Sequence, residues 1–206
     1  MAFSDFQNVA QMLHRYPLRI QQAHFLPEAC AALPGWLRDN VQFLLTMKSV
    51  EENEAFFAEG FIFPLLQHAW MQHPTLKLWS HRALVYGEVL FGEPDYLIAA
   101  IAEGVTESLL QRPMVVVLEA KKEDFSRAWG QCLAAMLACQ KINADDAVPI
   151  YGIVSTGMVW EFAQLCGQTF TKHIFTYAIR DLPRVCGLID HIFAVCEDAV
   201  QSYSER

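Results

Sequence analysis

Residues 113–121 read Pro-Met-Val-Val-Val-Leu-Glu-Ala-Lys, and no other stretch constrains the fold as tightly. A β-branched apolar run opened by a proline reads as a strand buried on both faces, which requires helices on either side of a sheet. The run leads straight into Glu-Ala-Lys-Lys-Glu-Asp, so charge appears where the strand leaves the core. An unpaired buried charge is costly, so a central strand ending this way calls for ion pairing or a bound metal.

The surrounding pattern alternates between periods. Residues 76–86 and 89–99 read as two strands joined by a turn at Gly87-Glu88, and with 113–121 they form a three-strand meander. Residues 126–142 form a strong helix with Trp129, Leu133, Met136 and Leu137 on one face. Strand-like runs return at 150–155, 158–165 and 169–179, with turns at Thr156-Gly157 and Gly167-Gln168. Pro183 sits where a helix can begin, and 185–203 carries an apolar stripe.

The first third reads as helical. Ser4-Asp5 can cap a helix running to Tyr16, where Pro17 limits it; 27–33 offers another turn or two, and 36–50 is mixed. Residues 51–71 form the longest early helix, with Phe56, Phe57, Ile62, Phe63, Leu66 and Trp70 at helical spacing and Gly60 and Pro64 weakening or kinking it. The expectation is one α/β (α+β) domain around a central mixed β-sheet flanked by helices. A helical N-terminal extension (1–50) precedes the core (51–180), and a C-terminal helix (181–206) follows.

Of the 206 residues 53% are hydrophobic, which excludes intrinsic disorder. No apolar run approaches the ~18 residues that span a bilayer. The opening MAFSDFQNVAQ lacks a basic segment followed by an apolar one, so secretion is not expected. Fifteen basic against 23 acidic side chains give a net charge of −8, which repels nucleic acid and anionic membranes in bulk. Work on a polyanion therefore needs a local site, a bound cation or a partner. Six cysteines without a CxxC pair read as buried reduced thiols of a cytoplasmic protein.

Two stretches carry possible chemistry: GEPDYLIA, with Asp95, and VVVLEAKKED, with Glu119 and Lys121. Alternate strand residues share a face, so Glu119 and Lys121 project together, and a neighbouring strand about 5 Å away can bring Asp95 to Glu119. Two carboxylates plus the Ala120 carbonyl suit Mg²⁺ or Mn²⁺, and an ammonium beside the ion could orient or deprotonate an attacking water. Taken alone, the tripeptide is equally a Glu119–Lys121 ion pair at a solvated strand end.

Wider context adds to this. Pro94-Asp95, then an apolar strand ending Glu119-Ala120-Lys121, then Gln131 on the following helix, resembles the PD-(D/E)xK nuclease superfamily with its restriction-endonuclease-like core. Upstream, Glu54 followed two turns later by Ile62-Phe63-Pro64-Leu65-Leu66 is similar to the first helix of the nuclease domains of type I restriction subunits. The resemblance covers about residues 51–165. It implies Asp95 and Glu119 as metal ligands with the Ala120 carbonyl, Lys121 serving the water nucleophile, Glu54 as a further acid, and Gln131 steadying the site from its helix. It also leads one to expect an Arg four residues after Glu54, where Ala58 stands.

Each residue also has a plainer reading. Asp95 reads equally as a turn residue after Pro94, Glu54 as a solvated helix-start charge and Gln131 as a partly exposed helix residue. His68 and His73 read as surface or capping histidines, and His81-Arg82 faces either a phosphate or solvent. Ser155-Thr156-Gly157 is a hairpin turn rather than a phosphate loop. Trp36, Trp70, Trp129 and Trp160 are core or interface residues. Lys121, Lys122, Arg127, Lys141 and Lys172 are the candidate basic patch. The expected function is a Mg²⁺-dependent phosphodiesterase on DNA or RNA. The alternative is a catalytically silent nuclease-fold domain used in protein assembly, as a homodimer or within a larger complex. A hydrolase of a small phosphorylated metabolite is a weaker option.

Overall fold

The computed structural model describes residues 1–49, 51–101, 110–121 and 124–204. In chain order the helices and strands begin with α1 (Val9–Arg15), β1 (Arg19–Ala23), α2 (Gly35–Met47), α3 (Glu54–Phe57) and α4 (Phe63–Gln72). Next come β2 (Leu76–Ser80), β3 (Leu84–Tyr86), β4 (Leu90–Gly92), β5 (Tyr96–Ala100), β6 (Met114–Ala120) and α5 (Phe125–Asn143). The chain continues through β7 (Ile150–Ser155), β8 (Val159–Cys166), β9 (Thr169–His173), β10 (Tyr177–Ala178) and α6 (Leu182–Ser204).

Every residue of the valine-rich β6 is buried, and the strand lies inside a mixed sheet of order β1-β9-β8-β7-β6-β5-β2, with β10 beside β8. β6 and β7 are parallel and joined through α5, while β2, β5 and β6 form the antiparallel meander. Helices cover both faces. Leu65, Leu66, Ile98, Val116, Leu118, Ile189 and Phe193 belong to the core under α4 and α6. Phe6, Met12, Val117, Leu133, Met136 and Ile150 belong to the core under α5. This mixed α/β architecture, with helices on both sides of one large sheet, is what burial of β6 on two faces demands.

The β6–α5–β7 unit is pinned by side chains. Asp124 Oδ1 accepts from the Arg127 N–H at 3.0 Å and caps α5. At the other end the buried Asn143 side chain accepts from Met114 N–H at 2.9 Å and donates to Met114 O at 2.8 Å, tying the helix to the start of β6. Gly152 lets α5 sit close to the sheet, since a Cβ there would come within 2.5 Å of Met136 Sδ.

Several expectations change. The first fifty residues are not simply a helical extension: Arg19–Ala23 forms β1, parallel to β9 at the edge of the main sheet. Residues 27–33 are not helical, whereas the mixed 36–50 stretch forms most of α2. Residues 76–99 make four strands rather than two, because the hairpin β3–β4 leaves the sheet between β2 and β5. Residues 169–179 likewise divide into β9 and β10. Between α3 and α4 the path does not break at Pro64 but widens into a π turn at Ala58–Ile62, where Phe63 N–H reaches Ala58 O. Pro64 has no N–H and its ring crowds the carbonyl four residues back, so an inserted residue relieves the conflict.

Candidate active site

The meander sets the first relationship. β5 pairs antiparallel with β6 as Tyr96↔Leu118, and continuing one step places Asp95 opposite Glu119. The Asp95 carboxylate lies close enough to act on Glu119, and its Oδ2 accepts from the Ala120 N–H at 2.7 Å. Glu119 is 5% exposed. Burial first, and then the Asp95 charge, push its carboxyl well above the usual carboxylate range; Lys121 opposes the shift and Glu54 adds to it. Burial and the close Asp95 charge both favour the protonated form of Glu119.

Lys121 follows directly on β6. Its N–H donates to Ser155 O at 3.0 Å, its Nζ donates to Glu54 Oε1 at 3.2 Å, and Nζ lies 3.9 Å from Asp95 Oδ2. Burial lowers the Lys121 pKa, but Asp95, Glu54 and Glu119 together outweigh it and raise the group above its ordinary value. Lys121 is therefore a fixed ammonium, suited to orienting and electrostatic work rather than to taking a proton.

Glu54 opens α3, whose start is capped by Asn53 Oδ1 accepting from Phe56 N–H at 2.9 Å. The turn after β7 braces that helix from below. Gly157 has φ +78° and lies so close to Phe57 that a Cβ would sit 3.1 Å from it. Within the turn, Ser155 Oγ accepts from Gly157 N–H and Thr156 Oγ1 accepts from Met158 and Val159 N–H, so both hydroxyls serve the hairpin.

Beside these groups opens a pocket of about 490 Å³, lined by Glu54, Ala58, Glu59, His81, Asp95 and Tyr96 among others. Burial, then Asp95 and Glu59, push the Tyr96 phenol up to about 12. His81 continues the β2–β5 pairing: its N–H donates to Asp95 O at 3.0 Å, and its Nε2 lies 3.6 Å from Asp95 Oδ1. It holds φ +48°, a left-handed conformation that costs a non-glycine residue of order 1–3 kcal/mol.

Four of the five expected side chains thus converge: Asp95, Glu119, Lys121 and Glu54. Gln131 does not join them by hydrogen bonding. It is buried on α5, and among the described residues it makes no hydrogen bond to Asp95, Glu119 or Lys121. Glu59, Ser80 and Tyr96 were not legible as site residues. Their placement depends on the β2–β5 register across an inserted hairpin, and the only signal was His81-Arg82 at the end of a strand.

The remaining candidates resolve differently. His73 is neither surface nor merely a cap: it is buried, with Nδ1 2.9 Å from Glu197 Oε2 and Nε2 3.2 Å from Asp190 Oδ1, and docks α6. His68 stands edge-on to Trp36, which is exposed on α2. Trp129 and Trp160 are buried. Three lysines of the candidate basic patch are paired with carboxylates, and Arg127 is exposed on α5. Lys121 pairs with Glu54, Lys141 with Asp146 and Lys172 with Glu161; Lys122 lies outside the described residues. Cys132, Cys139, Cys186 and Cys196 are buried, Cys30 and Cys166 exposed, and all six are free thiols. Among the described residues no helix is long and apolar enough to cross a membrane.

Among the described residues no three His, Cys, Asp or Glu groups cluster as a metal-holding set. Asp95 and Glu119 nevertheless fit Mg²⁺, which takes one or two carboxylates and keeps several waters. An ion binding there would compete with the proton that burial favours on Glu119. No protein-family model and no curated protein matches the chain.

Proposed function

We propose that this chain is a divalent-metal-dependent phosphodiesterase of the PD-(D/E)xK type, acting on DNA or RNA. One observation carries the reading: a buried carboxyl on the central strand faces a second carboxylate across the meander, with an ammonium 3.9 Å from the latter. The order of these groups along the chain, PD then ExK at the end of a buried strand, supports a restriction-endonuclease-like core. Asp95 and Glu119 would hold Mg²⁺ or Mn²⁺, with the Ala120 carbonyl as a further oxygen ligand. The ion supplies Lewis acidity and charge neutralisation at the phosphate. Lys121, kept cationic by its three acidic neighbours, orients the water and stabilises charge developing on the phosphoryl oxygens. Glu54 holds the Lys121 ammonium in place. Gln131 remains a supporting residue in this proposal through its position on the buried helix behind β6.

The test is cleavage of plasmid and single-stranded substrates with Mg²⁺ or Mn²⁺ by wild type, Asp95→Ala and Lys121→Met. The expected result is loss of cleavage in Asp95→Ala and a fall in kcat of about 10²–10³-fold in Lys121→Met with KM little changed. Equal rates in all three proteins would refute it.

A second reading, a silent nuclease-fold domain serving in assembly, is favoured by a different observation. Each described lysine of the candidate basic patch is neutralised by a carboxylate, and the net charge is −8. A nuclease acting unaided presents a cationic surface to phosphates. Calorimetric titration separates the two: failure to bind millimolar Mg²⁺ or Mn²⁺ selects the assembly role.

A further inference from the structure

The pocket beside Asp95 is lined from the helix side by the carboxylates of Glu54 and Glu59 alongside Ala55, Ala58 and Phe63, so that side offers no nitrogen donor and the position four residues after Glu54 only a methyl group. Opposite stands His81, whose side chain is 66% exposed.

The neighbours of the His81 ring favour one neutral tautomer over the other. Ser80 Oγ lies 2.8 Å from His81 Nδ1, while Nε2 faces Asp95 Oδ1. A carboxylate oxygen accepts and does not donate, so the favoured neutral tautomer has Nε2–H toward Asp95, with Nδ1 accepting from the Ser80 hydroxyl. At 3.6 Å the Nε2–Oδ1 separation is too long for a hydrogen bond, which leaves that N–H available to a ligand oxygen. Among the described side chains that line this pocket it is the only nitrogen donor.

His81 also sits in a left-handed conformation that is uncommon for a residue with a side chain. A φ of +48° suits glycine, and strain of this kind persists where the surroundings over-determine it. Here the His81 N–H bond to Asp95 O and the Ser80 contact fix the backbone and the ring.

We propose that His81 is a catalytic residue, donating from Nε2–H to a non-bridging oxygen of the substrate phosphodiester. It supplies from the sheet side the donor that Ala58 cannot supply from the helix. This rests on the phosphodiesterase reading above. The role needs no change of protonation, since the donor is present in the neutral ring.

Wild type, Asp95→Ala, His81→Ala, His81→Gly and His81→Asn are compared on bis(p-nitrophenyl) phosphate and a labelled 30-nucleotide single strand with Mn²⁺. Thermal midpoints and calorimetric Mn²⁺ affinity are measured alongside. His81→Gly is expected to raise the midpoint by removing the left-handed strain while lowering kcat/KM by about 10–100-fold. Mn²⁺ affinity stays within about twofold of wild type, because the metal-binding carboxylates are untouched. His81→Asn tolerates a positive φ and retains an N–H donor, so it keeps more activity than His81→Ala. If wild type turns over, Asp95→Ala does not, and His81→Gly matches wild type, the His81 proposal is overturned and the phosphodiesterase reading stands. A wild type without metal-dependent turnover overturns both.

Discussion

Asp95 and Glu119 face each other across the β5–β6 pair, one step past Tyr96 and Leu118, where Glu119 is buried and the Asp95 charge favours its protonated form. Two acids so close in a site with little water cannot both ionise cheaply, so the arrangement costs stability that an apolar pair would not.

That cost is measurable. Because the folded-state pKa of Glu119 is raised, its contribution to stability is fully present below the unfolded carboxyl value, about 4.3, and is lost as pH rises toward the folded value. In EDTA, Glu119→Gln should therefore melt above wild type at pH 8, by about 2–4 °C for each kcal/mol recovered, with the gap closing toward pH 4.5. Added Mn²⁺ should stabilise wild type more at pH 8 than at pH 6 and leave the variant unmoved. Scanning calorimetry across this range reads both effects.

Asn143 closes the β6–α5 unit with two hydrogen bonds to Met114 in a fully buried setting. Asn143→Ala leaves both Met114 backbone groups unpaired. Urea unfolding should show a loss of about 2–3 kcal/mol. A thermal midpoint unchanged within 1 °C would contradict this.

Gly157→Ala tests how the hairpin supports the site. A side chain at φ +78° pressing on Phe57 costs about 1–3 kcal/mol and displaces α3, on which Glu54 rides. The expected result is a lower midpoint together with reduced phosphodiesterase turnover, read by calorimetry and the plasmid assay. Full activity at reduced stability would show that Glu54 is positioned by other contacts.

A pH effect is also expected far from the site. His173 Nδ1 accepts from the Phe25 and Leu26 N–H groups at 3.4 Å each, and Nε2 lies 2.9 Å from Tyr177 Oη. Burial, then the neighbouring His24, lower its pKa. A depressed histidine stabilises the fold above the unfolded value near 6.5, and that contribution is lost as pH falls through the folded value. The urea midpoint of wild type should decline from pH 7 to 5, and His173→Phe, though less stable at pH 7, should decline less.

The β6 strand, the α5 helix and the burial of both sheet faces were legible from residue periodicity. The continuous valine run and the Trp129–Leu133–Met136 spacing are local properties, and apolar burial follows them wherever the chain goes. The π turn was half legible: Pro64 marked a conflict, but only packing of Phe61 and Ile62 into the core decided that the helix should widen rather than stop.

The pairing partners were not legible. β1 is exposed along most of its length and carries no apolar alternation, so nothing local distinguished it from a loop. His81 reaches Asp95 only because the β3–β4 hairpin folds out between them, and Gln131 was expected beside carboxylates with which it makes no hydrogen bond. By itself the sequence determined which segments are buried and that charge must emerge at the end of β6. Tertiary structure alone decided which charges meet there, because register and strand order come from contacts distant in the chain, which no short-range pattern encodes.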